Sequence, residues 1–294
     1  MPEAQGVVVY VSFGAGRHVS EIVASLISAT AFPSVQEGRV KLAVVTDNAT
    51  PFERLPVRAI VIPPEQALAW RGGPTGNVYN VKIRAMQYVL QTLNLPAVMT
   101  DGDTYFRRDP IALFRRIGPG RTLMHLRESS LGQIQFKAQL DLRDAIQGHT
   151  YTTRRGDKIP LGNGISIWNS GVVGCHPANV DLVDEAFDFS AYLFGLCHHA
   201  IAEQIAFGLL FEKYTKLRPA WDTVFHYWNP PIRREFSANL PELLKSLERL
   251  PLAEQAARLR AKFPQHSIKF RIKRWFRDEV LVRLGLRERV FPTS

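Results

Sequence analysis

The sequence contains little cysteine and no long apolar run, and each shortage excludes a class of protein. Its 294 residues include two cysteines, Cys175 and Cys197, which are too few for a disulfide framework. No stretch approaches the roughly 20 consecutive apolar residues that a membrane-spanning helix needs. Glu3 stands where a signal peptide would carry a basic residue. We therefore expect no signal peptide and a reducing, cytoplasmic setting.

Internal repeats and low-complexity tracts are also lacking, so the chain does not read as a solenoid or as a disordered protein. Apolar residues make up 46% and charged residues 22%, as in ordinary folded proteins. The length allows one large α/β domain or two small ones. The net charge is +10, and residues 261–294 hold nine Lys or Arg against three Asp or Glu, a local charge of +6. More than half of the excess therefore lies at the C-terminal end.

Apolar β-branched runs alternate with segments of helical periodicity. Four such runs predict strands at residues 7–11, 40–46, 57–62 and 96–100, because continuous apolar runs are typical of strands buried on both faces. Amphipathic segments follow most of these runs. This alternation predicts an α/β fold with a mostly parallel sheet flanked by helices.

The segment before the fourth predicted strand reads as an amphipathic helix. Ile83, Met86 and Leu90 fall on one arc at about 100° per residue. Lys82 lies inside this apolar arc. A lysine in such a position must either extend its ammonium group into solvent or meet an anion.

The triplet Asp101-Gly102-Asp103, called the acidic motif below, directly follows the strand predicted at residues 96–100. Two carboxylates one residue apart repel each other unless a cation lies between them, and hard oxygen ligands suit Mn²⁺ or Mg²⁺. Glycine lets the backbone turn tightly between them. The alternative is a solvated turn that continues to Asp109. The apolar strand before the motif and Tyr105-Phe106 after it favour the metal site.

These motifs, taken in order, resemble the nucleotide-sugar transferases of the GT-A fold. Among them the sequence is most similar to the retaining enzymes of glycosyltransferase family 8 and their relatives. The similarity covers roughly residues 7–230 and depends on the order of its motifs. Those motifs are the Lys82 helix, Thr100 to Phe106, Asp109-Pro110, Trp168-Asn169-Ser170-Gly171-Val172-Val173, Glu203-Gln204 and His226.

The resemblance implies roles for individual residues. His226 would join Asp101 and Asp103 as a third ligand of Mn²⁺ or Mg²⁺. Residues implied to contact a nucleotide-diphosphate sugar, or interpreted so from their place after a strand, are Phe13, Gly14, Asp47, Lys82, Asp101 and Gly102. Residues expected on the sugar and acceptor side are Asn169, Glu203 and Gln204.

Each of these roles has a plainer alternative. Lys82 can be a lysine that merely extends into solvent, and Asp47 can cap a turn. Glu203 can be an exposed carboxylate at a helix start, and His226 can be a packed histidine in an aromatic loop. The family has His-x-x-Gly-x-x-Lys-Pro-Trp at this point, whereas this chain reads His226-Tyr-Trp-Asn-Pro. One expected phosphate contact is therefore missing.

The chain is expected to divide into a GT-A domain at residues 1–235 and a helical C-terminal extension at residues 236–294. Helices are predicted at about 240–262 and 268–287. Residues 268–289 read as a basic amphipathic helix with Trp275 and Phe276 on one side. Such a helix suits an anionic membrane surface, although it can equally pack on its own domain. No recognised module accompanies the charge, so we expect no nucleic-acid partner.

We therefore predict a metal-dependent glycosyltransferase, a hexosyltransferase that uses a nucleotide-diphosphate sugar and a glycan or lipid-linked acceptor. The resemblance implies retention of the anomeric configuration. The expected location is cytoplasmic, with peripheral attachment to the inner face of the membrane as an option. Two alternatives stay open: a sugar-phosphate nucleotidyltransferase, and a non-catalytic carbohydrate- or membrane-binding protein of the same fold.

Overall fold

The computed structural model describes residues 3–73, 75–133 and 137–263. The strands in these ranges are β1 (Gly6–Ser12), β2 (Val40–Thr46), β3 (Arg58–Val61), β4 (Ala97–Thr100), β5 (Thr104–Phe106), β6 (Arg121–Met124), β7 (Arg127–Ser130), β8 (Thr150–Thr152), β9 (Lys158–Pro160), β10 (Ser166–Trp168), β11 (Val172–Cys175), β12 (Lys216–Pro219) and β13 (Val224–His226). The helices are α1 (Arg17–Thr30), α2 (Pro33–Gln36), α3 (Pro64–Arg71), α4 (Asn80–Leu93), α5 (Ile111–Phe114), α6 (Lys137–Ile146), α7 (Val180–Cys197), α8 (Ala202–Tyr214), α9 (Pro230–Leu247) and α10 (Leu252–Lys262).

Seven strands form the central sheet in the order β12-β6-β11-β4-β1-β2-β3. Neighbouring strands are parallel except at β11, which runs antiparallel to both β4 and β6. The four strands predicted from apolar runs are β1 to β4, and they lie side by side. The α/β fold with a mostly parallel sheet is therefore confirmed.

Helices cover both faces of this sheet. Successive side chains of β1 point to opposite sides, so the strand packs against helices on each face. Val7 and Val9 pack in one cluster with α4, α7 and α8. Val8 and Tyr10 pack on the other face against α1. Every one of these four side chains is fully buried, as the continuous apolar run requires.

The region around His226, interpreted above as an aromatic loop in the plainer alternative, contains the short strand β13. β13 pairs antiparallel with β5, the strand that directly follows the acidic motif. The Tyr227 amide then donates to the Asp103 carbonyl at 2.9 Å. This pairing satisfies backbone groups that follow the motif, and it brings His226 opposite Thr104.

The first C-terminal helix begins earlier than expected. α9 starts at Pro230, and a break at Pro251 separates it from α10. Both helices pack on α1, and Phe263 stacks on Tyr105 with ring centroids 3.8 Å apart. The boundary expected between residues 235 and 236 falls inside α9, so the division into two domains stays a prediction.

The basic segment at residues 268–289 lies outside the described residues. Within the described ranges, no helix is both long and apolar enough to cross a bilayer.

Candidate functional site

A cavity of about 860 Å³ opens at the carboxyl ends of β1 and β4. In parallel α/β sheets this edge is where ligands bind. Most of the residues singled out from the sequence line it, namely Phe13, Lys82, Asp101, Gly102, Asp103, Asn169, Glu203, Gln204 and His226. The chain thus brings residues from six separate segments to one place.

Two predicted residues lie outside this lining. The Asp47 carboxylate accepts from the Gly14 amide, with its two oxygens at 3.1 and 2.9 Å. This bond ties the loop after β1 to the end of β2. Asp47 therefore holds the loop after β1 in place, and a direct contact to a nucleotide stays a prediction.

Asp101, Asp103 and His226 form a group whose ligand atoms all lie within 4.8 Å of one another. The His226 Nε2 atom is 3.2 Å from Asp103 Oδ1 and 4.0 Å from Asp101 Oδ2. Two carboxylate oxygens and an imidazole nitrogen suit Mn²⁺, and the oxygens also suit Mg²⁺. The donor set and its convergence therefore fit a divalent cation.

Asn169 sets the orientation of the His226 ring. Its Oδ1 accepts from the Gly171 amide at 2.9 Å, and its Nδ2 donates to Glu128 Oε1 at 3.0 Å. Because Oδ1 is an acceptor, His226 Nδ1 at 2.9 Å must donate to it. The neutral ring then carries its free lone pair on Nε2, on the side of the two aspartates. Such outer-shell hydrogen bonds are what fix the tautomer of metal-binding histidines.

Charge around the ring favours its protonated form when no metal is bound. Burial lowers the pKa of His226, but the charges of Asp103 and Asp101 outweigh burial and raise it above the ordinary value. At Asp103 burial raises the pKa, and the charges of His226 and Arg233 bring it down to about 2. In the metal-free protein the two aspartates thus favour the protonated form of the imidazole beside them.

Two glycines let the backbone approach these groups. A Cβ at Gly102 would lie 2.8 Å from Ile22 Cγ1 and 3.2 Å from the His18 carbonyl of α1. A Cβ at Gly171 would lie 2.2 Å from His226 Nδ1. The acidic motif therefore packs directly on α1, and the space beside Gly171 is filled by the imidazole ring.

Lys82 meets two carboxylates in the cavity wall. Its Nζ lies 2.8 Å from Asp101 Oδ1 and 3.5 Å from Glu203 Oε1, and it donates to the Ser170 carbonyl at 3.2 Å. Burial lowers the pKa of Lys82, but the two carboxylates outweigh it and raise the pKa above its ordinary value. The lysine in the apolar arc is therefore paired with anions rather than extended into solvent, and its contact to a donor stays a prediction.

Glu203 and Gln204 lie in the first turn of α8, and both line the cavity. Glu203 is only 2% exposed, so it is not the exposed helix-start carboxylate of the plainer interpretation. Its Oε2 accepts from Ser170 Oγ at 3.0 Å. Burial raises the pKa of Glu203 against the lowering effect of Lys82. Gln204 reaches the Ser170 amide at 3.5 Å.

Sequence reasoning missed three residues of the site. Glu128, on β7, lines the cavity and receives the Asn169 amide. Arg233 of α9 lies 2.9 Å from Asp103 Oδ2 and pairs with Glu21 of α1. The third residue is Glu21. A glutamate within the apolar face of α1 indicates a buried ion pair, but its partner Arg233 lies 212 residues away in the sequence.

His125 packs edge-on against the His226 ring, with centroids 5.4 Å apart. Its Nε2 lies 3.2 Å from the Val224 carbonyl, so Nε2 carries the hydrogen. Burial, together with the charge of His226, lowers the pKa of His125 to about 3. This histidine therefore stays neutral at physiological pH.

No family model matches the sequence, and no curated protein matches it. Among solved structures, the galactosyltransferase LgtC in complex with donor and acceptor sugar analogs is similar with a TM-score of 0.50 and 14% identity, over 87% of this chain and 100% of that one. An active-site glutamine-to-glutamate mutant of LgtC gives a TM-score of 0.51 over the same shares. At this identity the likeness concerns the fold, and the chain has the GT-A fold that its sequence predicts.

Gly171→Ala should destabilise the protein by about 1–3 kcal/mol, because the added methyl group overlaps the His226 ring and must displace it. Urea unfolding of the metal-free protein measures the effect. Gly195→Ala is the matched control, since a Cβ there meets nothing within 4 Å. An unchanged free energy of unfolding in Gly171→Ala would contradict the described packing.

The neutral state of His125 predicts a loss of stability in acid. Its pKa in the folded protein is below the unfolded value, so its contribution is complete above about pH 6.5 and declines as the pH falls towards 3. Each pH unit in this window should lower the free energy of unfolding by roughly 1 kcal/mol. Urea unfolding from pH 7.5 to 5 should show a shallower decline in His125→Gln. Parallel curves for the two proteins would refute the assignment.

Proposed function

We propose that this protein is a metal-dependent hexosyltransferase that moves a sugar from a nucleotide-diphosphate sugar to a glycan or lipid-linked acceptor, with retention of the anomeric configuration. The observation that carries the proposal is the convergence of Asp101, Asp103 and His226 in the cavity of a GT-A fold. Fold alone does not establish function. The chemistry of these side chains supplies the argument.

The cofactor is Mn²⁺ or Mg²⁺. Asp101, Asp103 and His226 would hold it, and a divalent ion there would neutralise negative charge on the diphosphate leaving group. Two basic residues of the chain determine which carboxylate oxygens would face the ion. Lys82 and Arg233 each pair with the second oxygen of one aspartate, so the oxygens nearest to His226 are left for the metal.

The donor would lie between the ends of β1 and β4. Phe13 and Gly102 line the cavity there, and Gly102 presents backbone without a side chain. Lys82 is held at the same wall by Asp101 and Glu203. Its ammonium group can contact the donor phosphates or the sugar without leaving the cavity. Gly14 and Asp47 would act here through the shape of the loop after β1.

The reacting sugar and acceptor would lie beside Glu203 and Gln204. Gln204 lines the cavity, and its Oε1 lies 3.5 Å from the Ser170 amide, which supports it as a contact there. Asn169 has both of its amide atoms engaged with His226, Gly171 and Glu128. Its role would therefore be to orient the ring of His226. We assign no nucleophile.

The cavity mouth favours an acceptor with an apolar portion. Leu68, Val78, Tyr79 and Trp228, called the apolar rim, all line the cavity and are between 44% and 56% exposed. Among the described residues, these are four of the five large apolar side chains classed as exposed. Exposed apolar residues gathered around one opening mark a binding surface. This supports the lipid-linked option among the acceptors.

The first test is thermal unfolding with UDP, GDP or CDP, each in the presence of Mn²⁺ or EDTA. A nucleotide at 100 times its dissociation constant should add about 2.7 kcal/mol of stability. The gain should require Mn²⁺ and should vanish in Asp103→Asn, which keeps the shape but removes the charge. Asp144→Asn, at an exposed carboxylate, is the control. A wild-type protein that responds to no nucleotide would refute the proposal.

Product analysis with the stabilising nucleotide's sugar then separates the alternatives. A transferase releases a nucleoside diphosphate, a nucleotidyltransferase releases pyrophosphate, and a binding protein releases neither. NMR of the anomeric proton in the product tests retention.

The apolar rim predicts a preference among acceptors. Alkyl glycosides should be better substrates than the corresponding free sugars, because their chains can bury apolar surface on the rim. Trp228→Ala should lower kcat/KM for the alkyl glycoside about tenfold, a change of about 1.4 kcal/mol, and should leave the free sugar unaffected. Val61→Ala removes an exposed apolar side chain elsewhere and should change neither value. Equal losses of kcat/KM for the alkyl glycoside and the free sugar would contradict the proposal that the apolar rim binds the alkyl chain.

A further inference from the structure

Arg233, in the first turn of α9, connects the C-terminal helices to the acidic motif. Its Nε and Nη2 atoms donate to the two carboxylate oxygens of Glu21, at 2.9 and 2.6 Å. Its Nη1 lies 2.9 Å from Asp103 Oδ2. One guanidinium group therefore bridges a glutamate on α1 and a predicted metal ligand after β4.

Glu21 is a rigid anchor for this bridge. It is 0% exposed, and it also accepts from Ser237 Oγ, one turn further along α9. Removing the Arg233 guanidinium would leave the Glu21 carboxylate buried without a cation and would strongly destabilise the folded protein. The guanidinium is planar, and a two-point contact with Glu21 fixes the direction of its remaining N–H groups. The position of Nη1 is therefore set from behind the site.

The consequence appears at Asp103, whose two oxygens have different partners. Oδ2 faces Arg233, whereas Oδ1 faces His226 Nε2 at 3.2 Å. Lys82 produces the same division at Asp101, where it holds Oδ1 and leaves Oδ2 towards His226. Each aspartate is thus held at one oxygen by a cation and presents the other to the position between the ligands.

We propose that Arg233 is a positioning residue for the metal ligand Asp103, and that α9 is therefore part of the metal site. The inference depends on the proposed function, because it assumes that Asp103 binds the ion. Two effects of Arg233 oppose each other. Its positive charge repels a divalent cation, and its fixed geometry orients the ligand oxygen. The proposal is that orientation dominates, as is usual for residues that hold metal ligands.

Arg233→Lys and Arg233→Met separate these two effects. Lysine keeps the charge but has no planar fork with which to hold Glu21 at two points. Both variants should bind Mn²⁺ at least tenfold more weakly than the wild type, as measured by the EPR signal of free Mn²⁺ during titration. Wild-type affinity in Arg233→Lys, or tighter binding in Arg233→Met, would show that the arginine acts only as a charge and would overturn the proposal.

Two further variants control for folding. Glu21→Gln combined with Arg233→Met removes the buried charge pair as a unit and should stay folded while binding Mn²⁺ weakly. Arg116→Met breaks a comparable two-point pair with Asp222, at 2.7 and 2.6 Å, away from the cavity lining. Its Mn²⁺ affinity should equal that of the wild type. A loss of affinity there would mean that any broken ion pair has this effect.

A metal-free measurement distinguishes failure of this inference from failure of the proposed function. Arg233→Met and Asp103→Asn are combined in a double-mutant cycle, and the unfolding midpoints are compared without metal. Non-additive shifts are expected if the two side chains interact. Additive shifts would refute the contact itself. Non-additive shifts in the cycle, together with a wild-type protein that binds no Mn²⁺, would instead refute the metal site.

Discussion

Repulsion between Asp101 and Asp103 is the constraint around which the site is organised. The two carboxylates lie one residue apart, and Asp103 is almost fully buried, so little water reaches it to weaken the repulsion. Three basic side chains from three separate elements lie against the pair: Lys82 on α4, His226 on β13 and Arg233 on α9. The fold places these three side chains, which are distant in the sequence, against the two carboxylates.

The sequence predicted the parts of the site that depend on local patterns. The strand before the acidic motif, the helix of Lys82 and the parallel sheet follow from apolar periodicity, which reports burial over a few residues. The bond between Arg233 and Glu21 has no such pattern, because its partners are 212 residues apart. β13 was missed because a three-residue strand is too short for periodicity to reveal. Its pairing with β5 is decided by tertiary contacts.

The same contrast separates the roles of individual residues. Glu203 could be judged only by its burial, which no local pattern reveals at a helix start. Asn169 was expected on the sugar side, yet both ends of its amide are engaged in holding His226 and Glu128. Its position in a motif was predictable, whereas the direction of its amide was not. Hydrogen-bonding partners, rather than residue type, distinguish a group that can reach a ligand from one that supports its neighbour.

The distance along the chain between Glu21 and Arg233 also bears on biosynthesis. A ribosome makes α1 and the acidic motif long before it makes β13 and α9. During that interval the nascent protein carries Glu21 and Asp103 without the arginine and imidazole that balance them. The sheet of β1, β2 and β4 can form in this period, but the charged centre cannot. The charged centre can therefore be completed only after α9, with Arg233, has been made.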